Sequence, residues 1–101
     1  MAQEIIGYWR GLPVYLTEHA KIRMEERGIT IEDVREALER PDMEFINTLH
    51  NRYILVKIYD SDGLILALDR YEDRAELVTV IYSTEARDLV RRRTRRGRWR
   101  V

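Results

Sequence analysis

The chain has 101 residues, of which 45% are hydrophobic and 36% charged, so we expect one globular domain with a modest core. It contains no cysteine, which excludes disulfides, thiolate nucleophiles and cysteine-ligated zinc. No apolar run approaches the ~18 residues of a membrane span, and the N-terminal residues lack the pattern of a secretory signal. We therefore predict a cytoplasmic protein without a membrane partner.

The net charge of zero conceals an uneven distribution of charge along the chain. Residues 91–101 contain seven of the 18 basic residues and no acid, so residues 1–90 carry a net charge of −7. Such a split predicts either a basic tail that binds an anionic partner or a tail that folds back on the acidic body. We accordingly divide the chain into a single α+β domain, residues 1–90, and a flexible basic tail, residues 91–101.

Capping residues predict two helices in the first half of the chain. Thr17 is a suitable N-cap for the first helix, and Gly28 can adopt the left-handed conformation that ends it. Thr30 and Asp33 have the spacing of a capping box at the start of the second helix, with Asp in place of the usual Glu. Pro41 ends that helix.

Strands precede and follow this helical pair. A short strand is expected within residues 4–12, with a second extended piece at residues 14–16. Alternating apolar residues and turn sequences predict four more strands, at residues 43–49, 52–59, 64–71 and 76–82. A final helix begins near residue 84. The predicted fold class is thus α+β: a short N-terminal strand, two helices, a four-stranded antiparallel meander and a C-terminal helix, with the helices packed on one face of the sheet.

The first predicted helix carries a basic stripe. At ~100° per residue, His19, Arg23 and Arg27 fall in one row that borders the apolar face of the helix. In a structural interpretation, the two arginines pair with carboxylates such as Glu26 or Asp69. In a functional one, the guanidinium groups bind phosphate oxygens and the imidazole serves as a base near neutral pH.

The C-terminal residues have the composition of a nucleic-acid-binding arm. The candidate nucleic-acid-binding residues are Arg91, Arg92, Arg93, Arg95, Arg96, Arg98 and Trp99. The arginines would bind phosphates, and the indole would stack on a base. The alternative is a solvated end that complements the dipole of the last helix or binds the acidic body.

Two further groups of residues do not indicate a catalytic or metal-binding site. Tyr53, Lys57 and Tyr59 share one face of the strand at residues 52–59, which is typical of ordinary sheet surface. His50 lies in a predicted turn, far along the chain from His19, so the two histidines do not have the spacing of a zinc-binding pair. We expect neither a metal nor a cofactor.

The helical pair resembles a prokaryotic family known as domain of unknown function 4258. The residues that carry the resemblance are His19-Ala20, Arg23-Met24, Glu26-Arg27-Gly28-Ile29, Val34, Leu38 and Pro41. The later strands also fit in order and spacing, so the resemblance covers about residues 14–90. More distantly, the layout is similar to the BrnT and RelE groups of toxins. In BrnT-like chains the last strand leads into a Ser-Ala-Arg segment and a basic helix, to which Ser83 and Arg87 correspond here with a longer spacing.

The similarity to these toxins implies a metal-independent ribonuclease that acts on RNA and has an antitoxin protein as its partner. In such an enzyme the RNA 2′-OH is the nucleophile, His19 is the base, and Arg23, Arg27 and Arg87 stabilise the charge that develops on phosphorus. The alternative is a non-catalytic module that binds nucleic acid or protein. A homodimer is a further alternative, because residues 52–59 and 64–68 are apolar on both faces and exceed what the predicted helices cover.

Overall fold

The computed structural model describes residues 4–101, so the first three residues of the predicted domain lie outside the described residues. Its elements are β1 (Ile5–Trp9), β2 (Leu12–Leu16), α1 (Glu18–Arg27), α2 (Ile31–Glu39), β3 (Met43–Asn47), β4 (Arg52–Ile58), β5 (Gly63–Arg70), β6 (Ala75–Ser83), α3 (Ala86–Arg95) and β7 (Trp99–Arg100). The predicted α+β class and its order of elements are confirmed. None of the helices within the described range combines the length and apolar character needed to span a lipid bilayer.

The ends of α1 and α2 lie where the capping residues predicted them. Thr17 caps α1, and its hydroxyl also donates to the Leu77 carbonyl on β6 at 2.7 Å, which ties the start of the helix to the sheet. Gly28 ends α1 with a φ of 65°, a conformation that suits glycine because it has no Cβ. Thr30 and Asp33 form both hydrogen bonds of the capping box of α2.

Seven strands form one sheet in the order β1-β2-β6-β5-β4-β3-β7. Strands β3 to β6 are the predicted antiparallel meander. The N-terminal hairpin extends this meander beside β6, where β2 runs parallel to β6 over only three paired positions, Val14 to Leu16 opposite Ala75 to Leu77. Beyond Leu77, no strand of residues 4–101 pairs with β6 on this side.

The first face of the sheet is covered by α1 and α2. Leu55, Leu66 and Leu77 from three neighbouring strands are fully buried against Met24 of α1 and Leu38 of α2. We call this cluster the α1–α2 core. It follows the predicted apolar faces of the two helices and anchors the turn between them to the sheet.

The second face of the sheet is covered by α3 and the C-terminal residues. Ile54, Val56 and Ile65 pack there with Val90 and Trp99, in a cluster that we call the α3 core. The expectation that all helices pack on one face was therefore wrong, because β4 and β5 are apolar on both faces and each face requires a cover. Most of the apolar residues that suggested a homodimer, at positions 54–56 and 64–68, are buried within one chain.

The C-terminal residues fold onto the body, in contrast to the separate flexible tail that composition suggested for residues 91–101. Helix α3 continues to Arg95, Gly97 reverses the chain with a φ of 73°, and β7 pairs with β3. Trp99 is only 5% exposed, and its ring stacks on Phe45 with the ring centroids 5.7 Å apart. The physical reason is that the indole completes the α3 core.

Removing the Trp99 side chain should therefore destabilise the whole domain. We expect Trp99→Ala to lower the free energy of unfolding by about 3 kcal/mol, as for other buried aromatic residues. Urea denaturation followed by circular dichroism measures this change. The control is Arg100→Ala, an exposed neighbour on β7 whose loss should cost less than ~0.5 kcal/mol. Equal stabilities of the two variants would show that residues 98–101 do not contribute to the core.

Candidate nucleic-acid interface

Helix α3 has an apolar side and a basic side. Ala86 and Val90 are buried against the sheet. The exposed arginines of the helix and its C-cap are Arg87, Arg91, Arg92, Arg95 and Arg96. At ~100° per residue these five positions span about half of the helix circumference. We call them the arginine face, and it points away from the sheet because the opposite side of the helix is needed for the α3 core.

The positive charge of the arginine face is largely uncompensated. Asp88 is the only acidic residue of α3, and it pairs with Arg91 at 3.4 Å in an exposed position, where solvent screens the attraction. The Nε of Arg87 donates to the Asp60 carbonyl oxygen at 3.2 Å. The other members of the arginine face form no ion pair with any residue between positions 4 and 101.

The half-buried Arg93 is affected by this concentration of charge. Burial lowers the pKa of Arg93, and the nearby Arg98, Arg96 and Arg92 lower it further by repulsion. Its guanidinium lies 5.8 Å from the centroid of the Trp99 ring, which provides a weak cation–π contact. A polyanion bound along the arginine face would relieve the repulsion.

The C-terminal candidates do not all lie on this surface. Trp99 is part of the α3 core, so its predicted stacking on a base does not fit the structure. Arg93 and Arg98 are half-buried behind the helix, and the Nε of Arg98 is fully buried. The interface is thus an ordered helix face, whereas composition had suggested an extended arm.

The four predicted catalytic residues do not meet at one site. His19 is exposed and makes no side-chain hydrogen bond or ion pair with any described residue. Arg23 pairs with Glu26 at 3.3 Å, as in the structural interpretation. Arg27 lies at the end of α1 on the first face of the sheet, whereas Arg87 lies on α3 on the other. Within the described residues, no three His, Asp or Glu side chains are close enough together to hold a metal ion.

Arg27 borders a cleft of about 220 Å³ between the α1–α2 turn and the ends of β4 and β6. The residues that line it are Arg27, Gly28, Ile29, Asp33, Tyr59, Leu64 and Tyr82. We call it the tyrosine cleft. The Nη1 of Arg27 donates to the Val80 carbonyl oxygen at 3.0 Å, in the part of β6 that lies beyond its pairing with β2. One guanidinium nitrogen is thereby engaged with the sheet.

Two exposed phenol rings form the walls of the tyrosine cleft. Tyr82 donates its hydroxyl proton to Asp62 at 2.6 Å, and this hydrogen bond raises the pKa of Tyr82. Burial, followed by the charges of Asp33 and Glu36, raises the pKa of Tyr59. Both phenols therefore stay protonated at neutral pH. Strand periodicity assigned Tyr59 to ordinary surface and indicated no role for Tyr82, because the cleft arises only when distant strand ends meet the helical turn.

The β4–β5 turn, residues 60–62, lies between the arginine face and the tyrosine cleft. On one side the Asp62 carboxylate accepts from Tyr82, and on the other the Asp60 carbonyl accepts from Arg87. Helix α3 approaches closely here because the next residue is Gly63: a Cβ at this position would lie 2.9 Å from the Cβ of Ala86. The two surfaces consequently border the same end of the sheet.

Comparison with known proteins identifies a family but no characterised relative. The model of the family described as "Domain of unknown function (DUF4258)" matches residues 16–82. This range, shorter than the resemblance seen at residues 14–90, includes the tyrosine cleft and excludes α3. No curated protein and no solved structure matches the chain, so the similarity to BrnT- and RelE-type toxins stays a prediction. Because the matched range covers more than half of its length, the chain belongs to the DUF4258 family of domains of unknown function.

Proposed function

We propose that this chain binds single-stranded RNA, with the phosphates of the strand held on the arginine face. The observation that supports the proposal is a set of five exposed arginines on α3 and its C-cap, with only two acidic residues, Asp88 and the N-cap residue Glu85, beside them in the described chain. Guanidinium groups match phosphate oxygens in planar, two-pronged hydrogen bonds. Arginines on an ordered helix also lose less conformational freedom on binding than arginines on a flexible tail.

The size of the arginine face sets the expected salt dependence. Each phosphate that a cation neutralises on a single strand contributes about 0.7 to the slope of log K against log salt concentration. Five contacts therefore correspond to a slope of roughly −3.5. Affinity of this kind is insensitive to base sequence, because it depends on the phosphates alone.

Replacing two members of the arginine face should reduce this slope. We expect Arg92→Ala/Arg95→Ala to make the salt slope for a labelled single-stranded RNA shallower by about 1.4, because two phosphate contacts are lost. Fluorescence anisotropy titrations at several salt concentrations measure the slope. The matched control is Arg40→Ala/Arg70→Ala, which changes the net charge equally at two exposed positions, the C-cap of α2 and the end of β5. A slope changed equally by both double variants would contradict a localised interface.

Metal-independent cleavage of RNA is the second candidate function. The observation that favours it is the exposed imidazole of His19, which no described side chain engages, on the same helix as Arg23. The imidazole would take the proton of the 2′-OH, and cations would stabilise the phosphorane. Binding is better supported, because Arg27 and Arg87 are on different helices and each donates to a main-chain carbonyl, of Val80 on β6 and of Asp60 in the β4–β5 turn respectively. An antitoxin partner depends on the nuclease candidate, and both it and self-association stay predictions.

The two candidates differ in what happens to RNA in the presence of EDTA. We expect the purified protein to bind single-stranded RNA and leave it intact, as judged on a denaturing gel, because the predicted catalytic groups do not converge. The test includes His19→Ala and, as a matched exposed histidine, His50→Ala. Cleavage in EDTA that His19→Ala abolishes and His50→Ala retains would replace the binding proposal with the nuclease.

A further inference from the structure

We infer that the tyrosine cleft binds one unstacked base of the RNA strand, with the base ring against Tyr59 and Tyr82. The inference rests on the proposed function, since the phosphates of the same strand would lie on the arginine face. It adds a second kind of contact, one made to the base instead of the backbone. The surroundings of the cleft, its lining and its position each support this assignment.

The charges around the cleft favour a neutral ring over a phosphate group. Arg27 is the one cation that lines the cleft, and a main-chain carbonyl already engages part of its guanidinium. Asp33 lines the cleft as well, and Glu36 and Asp62 are close enough to act on the phenol of Tyr59. A phosphate placed here would be repelled by the Asp33 carboxylate, whereas a base carries no net charge.

The lining of the cleft suits a flat aromatic ligand. Tyr59 and Tyr82 are 48% and 45% exposed, so both rings are accessible for stacking. The bond from Tyr82 to Asp62 holds one ring in place before any ligand arrives. Leu64 and Ile29 add an apolar floor. The volume of about 220 Å³ lies below the ~300 Å³ of sites for drug-sized ligands, which suits a ligand as small as one base.

The position of the cleft allows one strand to reach both surfaces. The β4–β5 turn contacts both surfaces, since Asp62 accepts a hydrogen bond from Tyr82 and the Asp60 carbonyl accepts one from Arg87. A strand that follows the arginine face towards the start of α3 would therefore meet this turn and present its next base to the cleft. Single strands can do this because their bases turn out freely, whereas a duplex keeps its bases stacked inside.

The test separates base contacts from phosphate contacts by their different salt dependence. We expect Tyr59→Ala and Tyr82→Ala each to weaken binding of single-stranded RNA by about tenfold, as for loss of one base–aromatic stack. The salt slope should stay unchanged, because stacking on a base releases no counterions. Tyr59→Phe and Tyr82→Phe are the matched controls, and they should retain affinity within about twofold since the ring remains.

A second measurement uses the wild-type chain and is independent of whether the alanine variants fold. An RNA of the same length that lacks its bases should bind about tenfold more weakly than the intact strand, at the same salt slope. A fully paired RNA duplex should bind the wild type and the two alanine variants equally. Fluorescence anisotropy measures all of these affinities.

The results distinguish failure of this inference from failure of the proposed function. If Tyr59→Ala and Tyr82→Ala fold and bind single strands like the wild type, or lose the same affinity for duplex as for single strands, the base-binding assignment is overturned. The RNA-binding proposal would still stand if Arg92→Ala/Arg95→Ala makes the salt slope shallower. If the wild-type chain binds no RNA at low salt, the proposed function fails, and the assignment of the cleft fails with it.

Discussion

The whole structure depends on covering both faces of the two central strands. Ile54, Leu55 and Val56 follow one another on β4 and are all buried, although successive side chains of a strand point to opposite faces. Exposing either face would forfeit about 25 cal/mol for each Å² of apolar surface. One layer is supplied by α1 and α2 and the other by α3 with Trp99. The segment that follows β6 therefore serves as part of the core.

This requirement explains how a basic segment becomes an ordered surface. The side of α3 that carries Ala86 and Val90 must face the sheet, so the members of the arginine face are turned outward together. Trp99 then holds the end of the segment against β3 through its contact with Phe45. This order also brings the arginines close together, and the pKa of Arg93 is lowered first by burial and then by repulsion from Arg98, Arg96 and Arg92. A surface under such repulsion gains by binding an anion, since the partner supplies the missing opposite charge.

Features that depend on neighbouring residues, such as helix ends and strands, could be predicted from the sequence, whereas contacts between distant segments could not. Thr17, Gly28 and Thr30 bound the first two helices because caps act within a few residues. Alternating apolar residues predicted the strands of the meander, because this alternation is also visible within a few neighbouring residues. The parallel pairing of β2 with β6 and the docking of Trp99 join segments far apart in the chain, so no local sequence pattern predicts these contacts. The tyrosine cleft was missed for this reason, and so was the separation of Arg87, on α3, from His19, Arg23 and Arg27, which share α1.

The family model covers the tyrosine cleft but not the arginine face, and the two surfaces also offer a ligand different kinds of contact. Every residue that lines the tyrosine cleft lies within the range that the family model covers, while the arginine face lies outside it. Phosphate contacts supply affinity that any strand can use, but only base contacts can distinguish one strand from another. On the proposed function, the family domain therefore carries the selective part of recognition, and α3 adds electrostatic attraction. Selectivity would then originate in the cleft, where a carboxylate and a guanidinium flank the base, instead of in the basic residues that dominate the composition.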